Sequence, residues 1–382
     1  MKIGILTTFR QPNWGSVLQA YALQKVIDDL GYKAELIDYI YPNEFHWKRG
    51  CMWGKPKVRS LKNFLKYTKT KIVCTLGLRA WPMMHLLNGF IEQNLKVSET
   101  YYSYKHLHEA SPYYDIYVSG SDQIWNPNTM YGDMSYMFDF VAANSKKISY
   151  ASSFSCKTIP EEVKNKYYKL LKTYNAISVR ENNGKRIIHD LLRQDAKVVL
   201  DPTLLLNKNE WKQVARGAKK TKLPEQYILC YMLAYTFDAD EPMGKLLSNI
   251  QKKYKMPVIA LRQIPKNFRG NEYRLPKSYN KGVCEFLYLI DNASIIVSSS
   301  FHGTAFALNY GKPLVALAAN NDDDRVETIM NSLNLSDHLC MLGKEDEEYD
   351  VYYDYEREQQ LLEQQRKESI QFLVDNLKLS SD

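Results

Sequence analysis

Cysteine is scarce in this 382-residue sequence, and its spacing excludes two classes of site. The six cysteines are dispersed, and no two of them form a Cys-x-x-Cys pair. A structural zinc site and a disulfide framework both need cysteines at short, regular spacings, so neither is expected. No cluster of Asp and His stands out either. We therefore predict a protein of the reducing cytoplasm that uses neither a metal nor a cofactor.

Long apolar runs are also missing from the sequence. No run approaches the ~20 residues of a transmembrane helix, and Met1 to Thr8 is too short for the apolar core of a signal peptide. The hydrophobic content of 45% and the charged content of 25% are those of an ordinary globular protein. The length predicts two α/β domains, and the formal charge of +8 favours an anionic partner.

Acidic residues are absent between Glu44 and Glu92, where lysine, arginine and tryptophan are frequent. We expect a basic helical insertion at about 44–110. A basic amphipathic segment can lie on an anionic membrane surface or cover an anionic substrate. It can equally be an insertion whose solvated face is basic. The first interpretation predicts peripheral contact with the inner face of the membrane through residues 48–71.

The stretch from Ile295 to Leu317 predicts a strand–loop–helix–strand unit of a parallel sheet. The helix is expected to begin at Gly303 and Thr304 and to stop at Gly311. His302 then lies in the loop at the carboxyl end of the strand, where open α/β sheets bind ligands. The helix start favours phosphate or carboxylate, beside which a histidine can act as a general acid or base. The alternative is that His302 merely caps the loop.

The N-terminal stretch predicts a first strand over Lys2–Thr8, followed by a turn and an apolar-faced helix. Ser16 with Gln19 fits a capping box at the helix start. Asn13 and Gly15 allow the backbone to approach a ligand closely. The turn lacks the second and third glycines of a dinucleotide-binding fingerprint, which excludes that interpretation.

A second polar turn follows the strand predicted over Tyr114–Val118. Asp122 and Gln123 can bind sugar hydroxyls or take a proton, and Trp125 can provide a stacking face. Aspartate after Ser-Gly-Ser is also a common turn residue, so a structural role stays open.

Arg180 ends a later predicted strand, where a buried charge must find a partner. That partner is either Glu181 or a bound anion. Asp201 and Pro202 break the next strand and lead into a second domain. The predicted organisation has an N-terminal Rossmann-like domain, a C-terminal Rossmann-like donor-binding domain and a C-terminal helix that packs back on the first domain, over residues 1–205, 206–345 and 346–382.

Four motifs in this order identify a known family: Asn13–Gln24, Ser119–Trp125, Ile177–Glu181 and Ser300–Gly303. The chain resembles the polysaccharide pyruvyl transferase family from Met1 to about Cys340. The resemblance implies two Rossmann-like domains facing a cleft, as in GT-B glycosyltransferases. It also implies transfer of a pyruvyl group from phosphoenolpyruvate to a sugar of a cell-surface polysaccharide precursor, giving a ketal.

The resemblance also implies a set of site residues. The catalytic Asp, Arg and His of such enzymes correspond here to Asp122, Arg180 and His302. Further substrate-binding candidates come from the residues and their positions, not from the resemblance, and are Asn13, Gly15, Ser16, Gln123, Trp125, Ser300, Gly303, Thr304 and Arg325. The family pattern has arginine two residues before the histidine, whereas this chain has Ser300. Either Arg180, Lys312 or Arg325 replaces that arginine, or this member uses a different donor or none.

The expected partners are phosphoenolpyruvate and a saccharide acceptor, free or lipid-linked, with no nucleic acid. Two other functions stay open from the sequence. One is a GT-B glycosyltransferase that uses a nucleotide sugar, with the same histidine and helix start holding a diphosphate. The other is a non-catalytic binding protein of a polysaccharide locus.

Overall fold

The computed structural model describes residues 1–40, 82–130, 132–233, 238–319 and 323–378. The basic segment 48–71 lies outside these ranges. The chain divides into two compact units, of which unit 1 is Met1–Pro202 with Ser369–Asp382 and unit 2 is Thr203–Glu368. None of the helices in the described ranges is long and apolar enough to cross a membrane.

Unit 1 is built on a seven-stranded parallel sheet. Its strands are β1 (Lys2–Leu6), β2 (Lys33–Tyr39), β3 (Val97–Tyr101), β4 (Ile116–Ser119), β5 (Lys147–Ser152), β6 (Ala176–Val179) and β7 (Lys197–Val198). Its helices are α1 (Trp14–Asp29), α2 (Pro82–Asn94), α3 (Tyr104–Ala110), α4 (Glu161–Leu171) and α5 (Asn182–Leu192). The strand order β3-β2-β1-β4-β5-β6-β7 reverses between β1 and β4. Ligands of open α/β sheets bind at the carboxyl ends of the strands beside such a reversal.

Unit 2 is built on a five-stranded parallel sheet. Its strands are β8 (Ile228–Tyr231), β9 (Val258–Ala260), β10 (Ile295–Ser298), β11 (Leu314–Ala318) and β12 (Leu339–Met341). Its helices are α6 (Lys208–Val214), α7 (Asp240–Tyr254), α8 (Val283–Asn292), α9 (Phe301–Asn309), α10 (Arg325–Ser332) and most of α11 (Tyr355–Asn376). The order β12-β11-β10-β8-β9 reverses between β8 and β10. The prediction of two Rossmann-like α/β domains is confirmed.

The central strands are buried at successive positions, so side chains on both faces of each sheet are covered. Every residue of β4, β5, β8, β10 and β11 is buried. A strand covered on both faces needs a continuous apolar run, and the segments Ile295–Ser298 and Leu314–Ala318 show one. These are the strands that the sequence predicts best.

The strand β3 was not predicted, because it falls inside the region interpreted as a basic helical insertion. It pairs with β2 at the edge of the sheet, and only its last residue, Tyr101, is buried. An edge strand with one exposed face carries polar residues and lacks the apolar run of a central strand. Its sequence, Val-Ser-Glu-Thr-Tyr, therefore gives a weak signal.

Candidate functional site

Polar side chains converge where the carboxyl ends of β1 and β4 meet in unit 1. Asp122, three residues after β4, has a φ of 73°, a left-handed conformation that is uncommon outside glycine. Its Oδ2 accepts hydrogen bonds from Ser16 Oγ at 2.7 Å and from Thr8 Oγ1 at 3.3 Å. Asp122 is 8% exposed, so the carboxylate is buried but reachable at one edge. We call Thr8, Ser16, Asp122, Arg180 and Asp201 the Asp122 cluster.

Arg180 pairs with two carboxylates of this cluster. One guanidinium nitrogen donates to Asp201 Oδ2 at 2.7 Å, and the other lies 3.5 Å from Asp122 Oδ1. Glu181, the partner that the sequence offered, instead accepts a hydrogen bond from the Phe154 amide at 2.8 Å. Arg180 is 3% exposed and Asp201 is 1% exposed, so these charges offset one another away from water. The ion pair helps to fix the position of the Asp122 carboxylate.

The start of α1 differs from the predicted capping box. The N-cap is Asn13, whose Oδ1 accepts from the Gly15 amide at 3.0 Å. Ser16 lies within the first turn and donates to Asp122 Oδ2. Gln19 Nε2 donates to the Ser16 carbonyl and to Thr7 Oγ1, both at 2.9 Å, and its Oε1 accepts from the Ser121 backbone amide at 3.1 Å. Because Asn13 caps the helix, the Ser16 hydroxyl is available to the carboxylate across the sheet.

Two further candidates follow Asp122 in the chain, and the structure corrects one of them. The Gln123 amide donates to Asp122 Oδ1 at 2.9 Å, so Gln123 belongs to the turn that holds the carboxylate. Trp125 is fully buried, donates from Nε1 to the Tyr136 carbonyl at 3.2 Å and packs against Phe154 at 5.3 Å. The predicted stacking face is therefore wrong, because the indole is part of the aromatic core of unit 1.

In unit 2 the corresponding position is the start of α9. The helix begins at Phe301 and not at Gly303, because Ser300 is the N-cap and accepts from the Gly303 amide at 3.3 Å. His302 therefore lies in the first helical turn and is only 4% exposed, so its predicted place in a loop is wrong. Thr304 is fully buried, and its amide donates to the Ser300 carbonyl at 2.9 Å. The positive end of α9 remains a suitable place for an anion.

The turn before α9 packs tightly onto β8. A Cβ atom at Gly303 would lie 2.4 Å from Ser298 Oγ and 2.7 Å from a ring carbon of Tyr231, so only glycine fits. The Ser298 hydroxyl donates to the Tyr231 carbonyl at 3.2 Å, and the Ser299 hydroxyl accepts from the Leu233 amide at 3.0 Å. The serines of this turn thus hold the backbone in place, and the absence of a side chain at Gly303 lets the start of α9 lie against Tyr231 of β8.

The cations considered as substitutes for the family arginine all have acceptors in their own unit. Arg325 forms a two-point ion pair with the neighbouring Asp323 and is 6% exposed. The Lys312 ammonium donates to the Asp291 carbonyl. Arg180 is held by two carboxylates, as described above. Each of these cations is thus partly neutralised or held by a contact within its own unit.

Sequence reasoning missed two members of the Asp122 cluster. Asp201 was interpreted as a strand breaker before Pro202, although an acidic residue at the end of a buried strand was the available signal. Thr8 was assigned to the first strand, whereas β1 ends at Leu6. Behind the cluster, burial and the nearby Asp201 carboxylate raise the pKa of Tyr150 well above its usual value.

The acidic residues of the cluster do not form a metal site. Asp122 and Asp201 are bridged by Arg180. Among the described residues, no group of three or more His, Cys, Asp or Glu side chains could hold a metal ion. The cluster can instead orient a hydroxyl group and take its proton, since a fixed carboxylate is a suitable general base.

Comparison with known proteins gave no match among proteins of curated function. Among solved structures, UDP-GlcNAc 2-epimerase from Neisseria meningitidis bound to UDP-GlcNAc matches with 12% identity and a TM-score of 0.46, covering 99% of both chains. The enzyme of that name from Methanocaldococcus jannaschii gives 13% identity and a TM-score of 0.41, with 95% of this chain and 92% of that chain covered. The spinosyn rhamnosyltransferase SpnG gives 10% identity and a TM-score of 0.40, with coverage of 99% and 96%.

The family comparison covers most of the chain. The sequence model of the family described as polysaccharide pyruvyl transferase matches residues 13–321. This span contains Asp122, Arg180 and His302, and it runs from the N-cap of α1 past the end of β11. The expectation drawn from the four sequence motifs is confirmed. The chain therefore belongs to the polysaccharide pyruvyl transferase family.

Proposed function

We propose that this protein transfers the pyruvyl group of phosphoenolpyruvate to two hydroxyls of one sugar in a cell-surface polysaccharide precursor, forming a ketal. Membership of the family supports a transferase that acts on a saccharide. The observation that carries the proposal is the Asp122 cluster, in which an ion-paired carboxylate lies at the reversal point of the sheet. A carboxylate so held suits the activation of a sugar hydroxyl.

The reaction balances without a redox step. A proton added to the methylene carbon of phosphoenolpyruvate gives the methyl group and leaves C2 electrophilic. One sugar hydroxyl forms a bond to C2, phosphate departs from C2, and the second hydroxyl forms the other carbon–oxygen bond. The two hydroxyls release two protons, of which one replaces the proton used on carbon and the other leaves with phosphate.

Asp122 orients the attacking hydroxyl and takes its proton. Hydrogen bonds from Ser16 and Thr8 hold one oxygen of this carboxylate, and Arg180 lies beside the other. Arg180 then acts mainly through Asp122 and Asp201 and not as the grip for the donor carboxylate that the family resemblance implies. The reason is that its charge is already shared by two carboxylates in unit 1.

His302 acts as the general acid in this proposal. It lies in the first turn of α9, whose positive end favours the phosphate of the donor. An imidazole beside a bound phosphate can protonate the donor's methylene carbon or the departing phosphate near neutral pH. Ser300 serves this arrangement as the helix cap.

Incubation with phosphoenolpyruvate and a panel of saccharides tests the proposal. We expect phosphate release that depends on the saccharide, together with a ketal methyl signal in the NMR spectrum of the product. His302→Gln should reduce the turnover about 10²–10⁴-fold, as for the loss of a general acid. His189→Gln, at an exposed histidine of α5, is the matched control and should keep full activity. Release of nucleotide from a nucleotide sugar, without reaction of phosphoenolpyruvate, would instead support a glycosyltransferase.

A lipid-linked acceptor would place the reaction at the cytoplasmic face of a membrane. The basic segment 48–71 supports this version, since each lysine or arginine near an anionic surface contributes on the order of 1 kcal/mol. Binding to anionic vesicles, weaker at higher salt and reduced by replacing Lys62, Lys66 and Lys69 with Gln, is the expected result. Failure to bind at low salt would limit the proposal to free saccharides.

A further inference from the structure

A pocket of about 220 Å³ lies in unit 2 at the start of α11. It shares no residue with the Asp122 cluster or with the start of α9. The pocket is lined by Leu333, Asn334, Leu335, Asp337, His338, Tyr353, Asp354, Arg357 and Glu358. This volume is below the ~300 Å³ at which sites for drug-sized ligands begin, so the pocket fits one small ring.

Among the most buried residues of this pocket is a carboxyl group with unused hydrogen-bonding capacity. Glu358 is 1% exposed, and its Oε2 accepts a hydrogen bond from Gln359 Nε2 at 2.7 Å. Its Oε1 has no hydrogen-bond partner among the described residues. A buried acceptor without a partner is costly, and it becomes favourable when a ligand donates to it. Leu333 and Leu335, 2% and 5% exposed, add apolar surface beside it.

His338 and Tyr353 form the aromatic part of the pocket lining. The rings lie 5.3 Å apart, centre to centre. His338 Nδ1 lies 2.8 Å from the Asp350 carbonyl, and a nitrogen that bonds to a carbonyl must carry the proton. A neutral His338 therefore has Nε2 as an acceptor. The Tyr353 hydroxyl donates to the Lys312 carbonyl at 2.9 Å, and its ring, 4.4 Å from that of Tyr355, contributes apolar surface to the lining.

The exposed lining residues carry groups of both signs. Asp337 and Asp354 supply carboxylates, Arg357 supplies a guanidinium and Asn334 supplies an amide. A simple anion would be repelled by the carboxylates, and a simple cation would be repelled by the guanidinium. A neutral ligand whose hydroxyls each donate and accept can use both kinds of group.

We propose that this pocket binds a single saccharide residue, with one hydroxyl donating to Glu358 Oε1 and the apolar side of the sugar ring packed on the leucines or on Tyr353. The inference goes beyond the proposed transfer reaction, because it needs neither Asp122 nor His302. For a polymeric acceptor, such a pocket would be a second binding point that holds the chain without reacting with it.

Methyl NMR of the full-length protein, labelled with ¹³C at the leucine methyls, tests this proposal directly. The probes are the methyl glycosides of glucose, galactose, mannose and N-acetylglucosamine, with ethanolamine and inorganic phosphate as charged controls. We expect at least one glycoside to shift the Leu333 and Leu335 methyl signals in a saturable way. Absence of such shifts with all four glycosides, or shifts with ethanolamine or phosphate alone, would overturn the proposal.

Substitutions then locate the binding. Glu358→Leu should weaken glycoside binding up to about tenfold, since the hydrogen bond to the buried carboxyl oxygen is lost. Arg357→Leu should weaken it several-fold, and because this residue is exposed the variant decides the matter if Glu358→Leu does not fold. Glu356→Leu, at an exposed neighbour outside the pocket, should change nothing. Wild-type affinity in both pocket variants would contradict the proposal.

The proposal of a saccharide pocket and the proposal of the transfer reaction can be refuted independently. Asp122→Asn should lower the rate of transfer about 10²–10⁴-fold but leave the shifts of the Leu333 and Leu335 methyls intact. Loss of those shifts in Asp122→Asn would assign them to the acceptor site and refute a separate pocket. An enzyme with no transfer activity that still shows the shifts would refute the proposed reaction alone.

Discussion

The two units place different chemistry at the same position of similar sheets. At the reversal point of unit 1, between β1 and β4, Asp122 follows β4 and is ion-paired with Arg180, which follows β6 and also binds Asp201. At the reversal point of unit 2, between β8 and β10, the strand ends in serines, and α9 begins with His302 in its first turn. In the proposed reaction, unit 1 takes the proton of the sugar hydroxyl, whereas unit 2 holds the donor's phosphate and supplies a proton. One architecture therefore supports either role, and the side chains after the strands decide which.

Both turns depend on a glycine at a close backbone approach. Gly120 has a φ of +129°, and a Cβ atom there would lie 1.9 Å from the Tyr150 carbonyl oxygen. Gly303 has no room for a Cβ atom beside Ser298 and Tyr231. The two units thus use the same device, absence of a side chain, to bring the functional turn against a neighbouring strand.

The largest expected effect concerns the carboxylate of unit 1. Asp122→Asn should lower the turnover number about 10²–10⁴-fold, because the amide cannot take a proton. The fold should survive, since Arg180 keeps its hydrogen bond to Asp201. Initial rates of phosphate release, with urea unfolding as a check on stability, measure both. Asp190→Asn, at an exposed carboxylate of α5, is the matched control. Equal rates for Asp122→Asn and wild type would mean that Asp122 of unit 1 does not take a proton in the reaction.

The tight turn of unit 2 gives the next effect, this time on stability. Gly303→Ala should lower the free energy of unfolding by about 1–3 kcal/mol, because the added Cβ overlaps Ser298 and Tyr231. Gly89→Ala makes the opposite comparison, since nothing lies within 4 Å of a Cβ there, inside α2. That change should stabilise by about 0.5–1 kcal/mol. Urea unfolding measures both changes. An unchanged free energy of unfolding in Gly303→Ala would mean that the turn relaxes to accept the Cβ atom.

The pH dependence of stability compares two buried carboxyl groups. Both oxygens of Asp133 in unit 1 accept hydrogen bonds, whereas only one oxygen of Glu358 in unit 2 does so within the part of the chain that the structure describes. Burial raises the pKa of Asp133 to about 6, although it accepts hydrogen bonds from Tyr39 and the Ser135 amide. Burial raises the pKa of Glu358 to about 7, with a hydrogen bond from Gln359 acting in the opposite direction. Each raised pKa means that the folded state holds its proton longer than the unfolded state does. Their contribution to the free energy of unfolding is therefore full at low pH, below the pKa values near 4 of the unfolded state. It is lost as the pH rises through the folded-state pKa values of about 6 and 7.

Glu358→Gln removes one of these titrations. Relative to wild type, the variant should gain on the order of 2–3 kcal/mol between pH 4.5 and pH 8. Asp133→Asn should instead destabilise at all pH values, because an amide group is placed against one of its two hydrogen-bond donors. Glu356→Gln, on the exposed side of the same helix as Glu358, is the control. A pH-independent difference between Glu358→Gln and wild type would show that Glu358 titrates normally.

The smallest expected effect compares the helix caps of the two units. Asn13→Ala and Ser300→Ala each remove the side chain that caps α1 or α9. Each should lower the free energy of unfolding by about 1 kcal/mol, as for other N-cap losses. Only Ser300→Ala should also raise the KM for phosphoenolpyruvate, because a frayed α9 holds an anion less well. Equal changes in that KM for both variants would argue against α9 as the donor site.

The sequence by itself determined the central strands and the family. Apolar, β-branched runs such as Ile295–Ser298 are strands because only a covered parallel sheet accommodates them. Four short motifs identified the family before any fold was known. The sequence did not predict β3, because its polar, half-exposed residues carry little signal. It also placed the start of α9 too late, because Ser300 caps the helix earlier than Thr304 would.

Only the tertiary structure decided which side chains meet. Ser16 and Asp122 are 106 positions apart, and they are neighbours because β1 and β4 lie side by side in the sheet. Arg180 bonds to Asp201 and not to the adjacent Glu181 for the same reason, since strand order and not chain order sets the distance. Trp125 is buried because its indole fills the aromatic core of unit 1. Local patterns encode helix and strand periods, whereas these contacts depend on strand order, which no single segment of the chain specifies.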